Sequence, residues 1–222
     1  MIDFKRDFIR EVEAASGHRF AVEVFADMVR AMAIAIESPL AMGERHDELE
    51  REYAAIEGRY DADEFEHFKR AFAIVAQALE AKREDFLGHA LEHLGASNTR
   101  NGQFLTPVCV SRLCARFSAT KPLDYEPGNI VKINDPACGT SVLLIEGAEN
   151  LIAEGVRQAD VLVIAGDIDA RACDASYVQL SLLGYPAIVQ HADALAMKRI
   201  SPDRYTPGYF LHRFPMRGIA AA

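Results

Sequence analysis

The second half of the chain alternates short strand-like runs with segments of helical composition, and this alternation constrains the fold more than any other feature. The runs at residues 130–133 and 187–189 are rich in β-branched residues, and residues 161–165 are apolar on both faces, as a buried parallel strand requires. Residues 142–154 and 170–183 have the length and composition of helices. This alternation predicts an α/β fold with right-handed crossovers and a doubly wound sheet.

Each of the three predicted strands ends at an aspartate. These residues are Asp135, Asp167 and Asp193. The carboxyl ends of parallel strands meet at one edge of a sheet, and ligands bind there. A single aspartate in such a position is more often a helix cap or a turn residue. Three at successive strand ends, with the flexible Gly139 in the first turn, predict a binding site.

The three carboxylates suit different parts of a cationic nucleoside. Asp135 is positioned to face a cation, and Asp167 can accept hydrogen bonds from both ribose hydroxyls. Asp193 can accept a hydrogen bond from the exocyclic amine of an adenine, while the amide of Ala194 donates to a ring nitrogen. A dinucleotide fits less well, because the G-x-G-x-x-G pattern does not occur around Gly139.

Three short segments, in a fixed order, carry a family resemblance. They are Gly-Gln-Phe-Leu-Thr-Pro at residues 102–107, Asp-Pro-Ala-Cys-Gly-Thr-Ser at residues 135–141, and Gly-Asp-Ile-Asp at residues 166–169, with Ala-Asp at residues 192–193 behind them. Together they resemble the cofactor half of adenine-N6 DNA methyltransferases, and especially the modification subunits of type I restriction systems. The similarity covers roughly residues 85–195.

The resemblance implies a Rossmann-like, S-adenosylmethionine-dependent methyltransferase sheet, here incomplete. In the family the first segment folds over the methionine end of the cofactor, so Phe104 would pack on the cofactor and Thr106 would contact its carboxylate. The residues expected to bind S-adenosylmethionine are Phe104, Thr106, Asp135, Ala137, Gly139, Asp167, Ile168, Asp193 and Ala194.

Two positions depart from the family pattern. Ser141 stands where family members usually have a second glycine, so its side chain would crowd the methionine moiety or cap the following helix. Leu105 replaces the usual aromatic residue. Pro107, directly after this segment, suits the first turn of a helix that runs to about residue 119.

The tetrapeptide Asn/Asp-Pro-Pro-Tyr/Phe, with which the family holds the flipped target base, has no match after Asp193. The nearest string is Thr-Pro-Gly-Tyr at residues 206–209, which lacks the acceptor and the second proline. Residues 201–205 before it do not have the composition of an apolar strand. We therefore interpret residues 206–209 as a turn and assign no catalytic residue.

Without a fourth strand, the outer edge of the first strand would be open. Residues 208–214 are apolar in an alternation-like pattern. We therefore expect this segment either to fill that edge or to pair with a partner chain.

The first 95 residues have helical periodicity. Apolar residues from Phe8 to Ala31 recur near helical spacing, and Pro39 is expected to end or kink that helix. A second apolar stripe, more typical of a core than of a binding groove, consists of Phe65, Phe68, Phe72, Val75 and Leu79. Breaker residues at 95–98 predict a boundary between an α-helical region, residues 1–95, and a methyltransferase-like α/β domain, residues 96–222.

The net charge of −9 comes from the helical region, where residues 1–95 contain 12 Lys/Arg and 21 Asp/Glu. An acidic chain binds duplex DNA poorly without a local basic face or a basic partner. The candidate basic cluster consists of Lys198, Arg199, Arg204, Arg213 and Arg217. Such a run of basic residues is more often a solvated tail than a binding face.

Several other classes of site are not favoured. The cysteines 109, 114, 138 and 173 form no C-x-x-C pair, so we expect reduced thiols in a cytoplasmic protein. Cys138 is expected to be a packing residue, because no base motif accompanies it. His89 and His93 match the H-x-x-E-H pattern, but no third ligand stands out and no metal is predicted. No apolar run approaches the roughly 18 residues of a membrane span.

The sequence therefore predicts an S-adenosylmethionine-binding protein related to DNA adenine-N6 methyltransferases of a restriction-modification or mobile-element system. The alternative is a non-catalytic, cofactor-binding or regulatory partner of a full-length DNA methyltransferase. The expected partners are DNA and a specificity subunit, a full-length methyltransferase or a second copy of the chain. No membrane association is expected.

Overall fold

The computed structural model describes residues 3–95 and 108–212. The helices are α1 (Phe4–Ser16), α2 (Ala21–Glu37), α3 (Glu44–Glu57), α4 (Ala62–Ala81), α5 (Phe86–His93), α6 (Val108–Ser118), α7 (Val142–Ala153), α8 (Ala170–Leu182) and α9 (Pro207–Leu211). The strands are β1 (Val131–Asp135), β2 (Val161–Asp167), β3 (Ala187–Asp193), β4 (Lys198–Arg199) and β5 (Arg204–Tyr205).

The strands form one mixed sheet. β1, β2 and β3 are parallel neighbours in that order, and β4 and β5 both pair antiparallel with the other side of β3. Helix α7 connects β1 to β2, and α8 connects β2 to β3. The predicted alternation of strands and helices is confirmed as a mixed α/β fold. Strands β1, β2 and β3 lie side by side in chain order, without the reversal of strand order that a doubly wound sheet has. A doubly wound, Rossmann-like arrangement therefore stays a prediction.

The two faces of the sheet are covered differently. Side chains alternate between faces along a strand, and Val161, Val163 and Ala165 of β2 belong to a large core shared with α7, α8 and the N-terminal helices. Leu162 of β2 faces the other way and belongs to a small cluster with residues of β3 and α9. The main core therefore lies on the face that carries both crossover helices.

The N-terminal helices follow the predicted pattern. Helix α2 ends at Glu37 and a short 3-10 turn, Ser38–Leu40, follows it, so the expected effect of Pro39 is confirmed. The apolar stripe of α4 faces the core, with Phe65 and Leu79 buried and Phe72 partly buried. Helix α1 packs on α4, and α2 packs on α8. One continuous core thus joins these helices to the sheet, and the domain boundary near residue 95 stays a prediction.

Arg204 connects the end of the chain to the N-terminal helices through buried ion pairs. Its Nε donates to Glu37 Oε2 at 2.6 Å and its Nη1 donates to Asp174 Oδ1 at 2.6 Å. Arg30 also donates to Asp174, at 3.0 Å, and the Arg204 guanidinium lies 4.0 Å from the centre of the Tyr177 ring. Because its charge is neutralised inside the protein, including Arg204 in a DNA-facing basic cluster was wrong.

The rest of that cluster is divided. Lys198 is exposed, and Arg199 forms an ion pair with Asp203. Arg213 and Arg217 lie outside the described residues.

The prediction for the end of the chain was also wrong where it can be compared with the structure. Residues 207–211 form α9, a helix that begins at Pro207 and packs against β3 rather than beside β1. Proline suits the first turn of a helix, because its missing N–H would have no partner there. Arg204 and Tyr205, interpreted as non-strand, form the short strand β5. Among the described residues, β1 pairs with β2 alone.

Within the described ranges, no helix combines the length and the apolar character that crossing a bilayer would require.

Candidate functional site

The three strand-end aspartates lie at one edge of the sheet, which we call the carboxyl edge. Asp135, Asp167 and Asp193 are the last residues of β1, β2 and β3, which are adjacent and parallel. All three are partly exposed. Their common edge is what a ligand site between strands requires, whereas their roles in binding stay a prediction.

The turn after β1, residues 136–141, lies against the end of β2. The Cys138 amide donates to Gly166 O at 2.8 Å, and the Gly139 amide donates to Asp167 Oδ2 at 2.8 Å. Gly166 makes this approach possible, since a Cβ there would lie 3.3 Å from the Cα of Pro136. We call residues 136–141 the glycine turn. Gly139 has a φ of +55°, and a Cβ there would meet no described residue within 4 Å, so the part of the chain that the structure describes leaves space beside the turn.

Each of the three aspartates also organises local backbone. Asp167 accepts from Gly139 N through Oδ2 and, through Oδ1, from Asp169 N at 2.9 Å. Asp135 accepts from Ala137 N at 3.0 Å, and Asp193 accepts from Ala196 N at 2.9 Å. The turn-residue interpretation therefore holds for each of them. It is compatible with ligand binding, because a carboxylate oxygen can accept more than one hydrogen bond.

The neighbours of these carboxylates remain accessible. Ile168, after Asp167, is 60% exposed although it is apolar. Ala137 and Ala194 are also exposed. An exposed apolar side chain beside a carboxylate at a strand end is suited to contact an aromatic base.

The side chain of Ser141 does not cap the helix that follows it, so that expectation was wrong. Ser141 precedes α7 without a side-chain capping bond, and it is buried. Its Oγ donates to Ser176 Oγ at 2.8 Å, and Ser176 Oγ in turn donates to Gly139 O at 2.9 Å. The hydroxyl is therefore directed toward α8, and crowding of a ligand stays a prediction. Its φ of +77° lies in the left-handed region that favours glycine.

A buried carboxylate that the sequence analysis missed also contacts the glycine turn. Asp85 Oδ2 accepts from Thr140 Oγ1 at 2.6 Å, and Asp85 Oδ1 accepts from Gln179 Nε2 at 2.9 Å. The Gly88 amide donates to the same Oδ1, which makes Asp85 the N-cap of α5. Burial raises the pKa of this carboxyl. An aspartate before a helix predicts an N-cap. Nothing in the sequence near residue 85 predicts its hydrogen bond with Thr140.

The two cysteines near the carboxyl edge are not activated. Cys138 and Cys173 are both buried, and burial raises the pKa of each thiol to about 12. A nucleophilic cysteine needs a lowered pKa. The packing interpretation of Cys138 agrees with this environment.

The string at residues 206–209 lies at the opposite end of the sheet. Thr206 Oγ1 donates to Tyr185 O at 2.7 Å and accepts from the amide of Ala187, the first residue of β3, at 2.9 Å. Tyr209 is buried in the cluster on the second face. Six residue steps separate Ala187 from Asp193, roughly 20 Å at about 3.3 Å per residue. Residues 206–209 therefore do not contribute a base clamp at the carboxyl edge.

The two residues predicted to contact the methionine end of the cofactor, Phe104 and Thr106, lie in residues 96–107, outside the described residues. Among the residues that are described, no group of three His, Cys, Asp or Glu side chains is arranged to hold a metal ion.

Comparison with known proteins identifies one relationship. A family model for N-6 DNA methylase matches residues 82–196. The matched range contains Asp85, the glycine turn and all three strand-end aspartates. No curated protein and no solved structure matches the chain.

Proposed function

Because the chain belongs to the N-6 DNA methylase family, we propose that it binds S-adenosylmethionine at the carboxyl edge and serves adenine-N6 methylation of DNA. The observation that carries this proposal is the set of three carboxylates at the ends of adjacent parallel strands around the glycine turn. All of them fall within the range that the family model matches.

Each residue has a role that follows from its chemistry. Asp135 would face the methionine ammonium, and Asp167 would accept hydrogen bonds from the ribose hydroxyls. Ile168 would pack on the adenine. The exocyclic amine of the adenine would donate a hydrogen bond to Asp193, and the Ala194 amide would donate to a ring nitrogen. From the segment before α6, Phe104 and Thr106 would cover the methionine end, with Ala137 and Gly139 lining it.

The glycine turn supports this proposal through its rigidity and its open side. Backbone amides bonded to Gly166 and Asp167 fix the turn, and the space that the described residues leave beside Gly139 is where a ligand would lie. A site held in place before binding loses less free energy to ordering when the ligand arrives. The donors and acceptors present fit a sulfonium nucleoside, which supplies an activated methyl group when bound.

A second candidate function is non-catalytic cofactor binding that assembles with, or regulates, a full-length methyltransferase. It is favoured by the placement of residues 206–209, the string nearest to a base clamp, at the opposite end of the sheet from the carboxyl edge. In this function a partner would supply the base clamp and a basic DNA-binding face. Candidate partners are a specificity subunit, a full-length methyltransferase or a second copy, within a cytoplasmic restriction-modification or mobile-element system.

Titration calorimetry with S-adenosylmethionine tests cofactor binding. We expect the wild type to bind and Asp193→Ala to bind at least about tenfold more weakly, because losing one charged hydrogen bond costs roughly 1.5 kcal/mol or more. Asp124→Ala, an exposed aspartate before β1, is the matched control and should bind like the wild type. Absence of binding by the wild type, or equal affinities for all three proteins, would contradict the proposal.

Transfer of a labelled methyl group to unmethylated DNA separates the two candidate functions. Adenine labelling by the chain alone, or only with a partner, supports the enzymatic function. Cofactor binding without labelling under either condition supports the non-catalytic one.

A further inference from the structure

We propose that Asp85, which lies outside the set of cofactor contacts, is a positioning residue that fixes the glycine turn through Thr140. This inference rests on the proposed function, because the turn it fixes is the one assigned to S-adenosylmethionine. Asp85, the N-cap residue of α5, would thereby support a site whose described residues lie at strand ends and in the turns that follow them.

The bonds around Thr140 hold both its side chain and its main chain. Its hydroxyl donates to Asp85 Oδ2 at 2.6 Å, and its carbonyl accepts from Gln179 Nε2 at 2.8 Å. The same Gln179 amide donates to Asp85 Oδ1, while Gln179 Oε1 accepts from Leu87 N at 2.9 Å. Asp85, Thr140 and Gln179 are each buried. With Thr140 fixed at two points, Gly139 and Ser141 on either side of it have little freedom to move.

Gly88 provides a second, independent indication that this contact is specific. A Cβ at Gly88 would lie 2.1 Å from Asp85 Oδ2 and 2.4 Å from Thr140 Oγ1. Any larger residue would displace the pair. The helix that follows Asp85 is therefore built to admit the Thr140 side chain.

The chemistry of the Asp85 network suits positioning better than fold stabilisation. Among the described residues, the hydrogen-bond donors to Asp85 are all neutral. Burial raises the pKa of the carboxyl, and the opposing effect of His89 is smaller, so keeping Asp85 ionised costs stability. A fully bonded buried polar network makes the local structure rigid and specific. Functional sites depend on such supporting bonds, because small displacements of the contacting atoms weaken binding.

Asp85 also connects two elements of the described structure. Its carboxylate caps helix α5 through the Gly88 amide and accepts from the Thr140 hydroxyl of the glycine turn. One carboxylate thus contacts both the glycine turn and the first turn of α5.

The first test uses a matched pair at position 140. Thr140→Val removes the hydroxyl at nearly constant shape, whereas Thr140→Ser retains it. We expect Thr140→Val to raise the Kd for S-adenosylmethionine by about tenfold, equivalent to one hydrogen bond of roughly 1.4 kcal/mol, and Thr140→Ser to restore near wild-type affinity.

The second test separates positioning from general destabilisation. Asp85→Ser keeps an N-cap side chain but is too short to reach Thr140 and Gln179. Asp160→Ser removes another buried carboxylate, at the start of β2, and is the control. Unfolding in urea should show both variants destabilised, but Asp85→Ser alone should weaken cofactor binding.

Hydrogen–deuterium exchange of residues 137–142 gives a readout that needs no ligand. We expect faster exchange in Asp85→Ser and not in Asp160→Ser. If exchange responds but the wild type does not bind S-adenosylmethionine, Asp85 positions the turn and the proposed cofactor is wrong. If neither exchange nor affinity distinguishes Asp85→Ser from Asp160→Ser, the positioning role is overturned.

Discussion

Two buried aspartates, Asp160 just before β2 and Asp85 beside the glycine turn, are stabilised in opposite ways. Before β2, Asp160 accepts from Arg157, Tyr125 and Gly128, and the Arg157 guanidinium lowers its pKa to about 2. Beside the glycine turn, the described hydrogen-bond donors to Asp85 are all neutral, and burial raises its pKa against the opposing effect of His89. The charge-paired network stabilises the fold, whereas the neutral network fixes a turn at some cost in stability.

The largest expected effect on stability concerns Arg204 in β5, which forms a second charge-paired network with Glu37 and Asp174. We expect Arg204→Met to lower the free energy of unfolding by about 3 kcal/mol, because Glu37 and Asp174 would each lose a buried partner. Arg45 and Arg30 still contact these acids, which limits the loss. Urea denaturation measures this.

Lys198→Met is the control for that experiment, since Lys198 is an exposed cation of the same terminal region. It should change stability by no more than about 0.5 kcal/mol. If the Arg204 and Lys198 variants are equally stable, the buried ion pairs of Arg204 do not stabilise the fold, and charge-paired and neutral networks no longer differ in this respect.

Substitution of two glycines, one at each end of the sheet, tests whether only the carboxyl edge affects cofactor binding. A Cβ at Gly208 would lie 2.6 Å from Tyr185 O, so Gly208→Ala should destabilise the fold by about 2 kcal/mol without changing cofactor affinity directly. Gly166→Ala presses on Pro136 of the glycine turn and should cost about 1 kcal/mol. Only Gly166→Ala should weaken binding of S-adenosylmethionine in calorimetry. The reverse result would mean that α9 belongs to the site.

The pH dependence of stability should have opposite signs for the two aspartates. The pKa of Asp160 is lowered from 3.8, so its contribution is present above about pH 4 and is lost as the pH falls toward 2. We therefore expect Asp160→Asn to be less stable than the wild type by about 1 kcal/mol at pH 7, since the half-exposed Arg157 is screened by solvent. That deficit should shrink between pH 4 and pH 2.

The pKa of Asp85 is raised, so its favourable contribution is present below pH 3.8 and is lost as the pH rises through the folded-state pKa. Relative to Asp85→Asn, the wild type should therefore lose stability as the pH rises. Chemical denaturation of both variants between pH 2 and pH 7 measures these slopes. Slopes of the same sign would contradict the comparison.

The smallest effect is expected at Ser141. Ser141→Ala keeps the unfavourable positive φ and loses the bond to Ser176, so it should cost about 1 kcal/mol. Ser141→Gly loses the same bond but relieves the backbone, and should remain within about 0.5 kcal/mol of the wild type. Thermal unfolding distinguishes them. A gain in cofactor affinity for Ser141→Gly would mean that the side chain does crowd the ligand.

The sequence predicted the parts of the fold that depend on local patterns. The apolar run of β2, the stripe of α4 and the break at Pro39 correspond to elements of the structure, because periodicity and proline act within a few residues. It failed at residues 204–211, where β5 and α9 form. Their short lengths give no periodic signal, and contact with β3 decides their structure.

The same limit applies to the candidate site. Asp135, Asp167 and Asp193 could be placed from sequence because each is the last residue of its own strand. Asp85 could not be connected to Thr140, which lies 55 residues later in the chain. Likewise, the sequence shows that Arg204 is charged but not that it is buried, because its acidic partners lie on the distant helices α2 and α8.

The ion pairs from Arg30 and Glu37 to Asp174 and Arg204 have a consequence for how the protein unfolds. They join helix α2 to α8 and β5 across a shared core, so melting either half would expose unneutralised charge and apolar surface in the other. Heat or denaturant should therefore disrupt both halves in one cooperative transition. A single transition would mean that the predicted boundary near residue 95 does not separate two independently unfolding units.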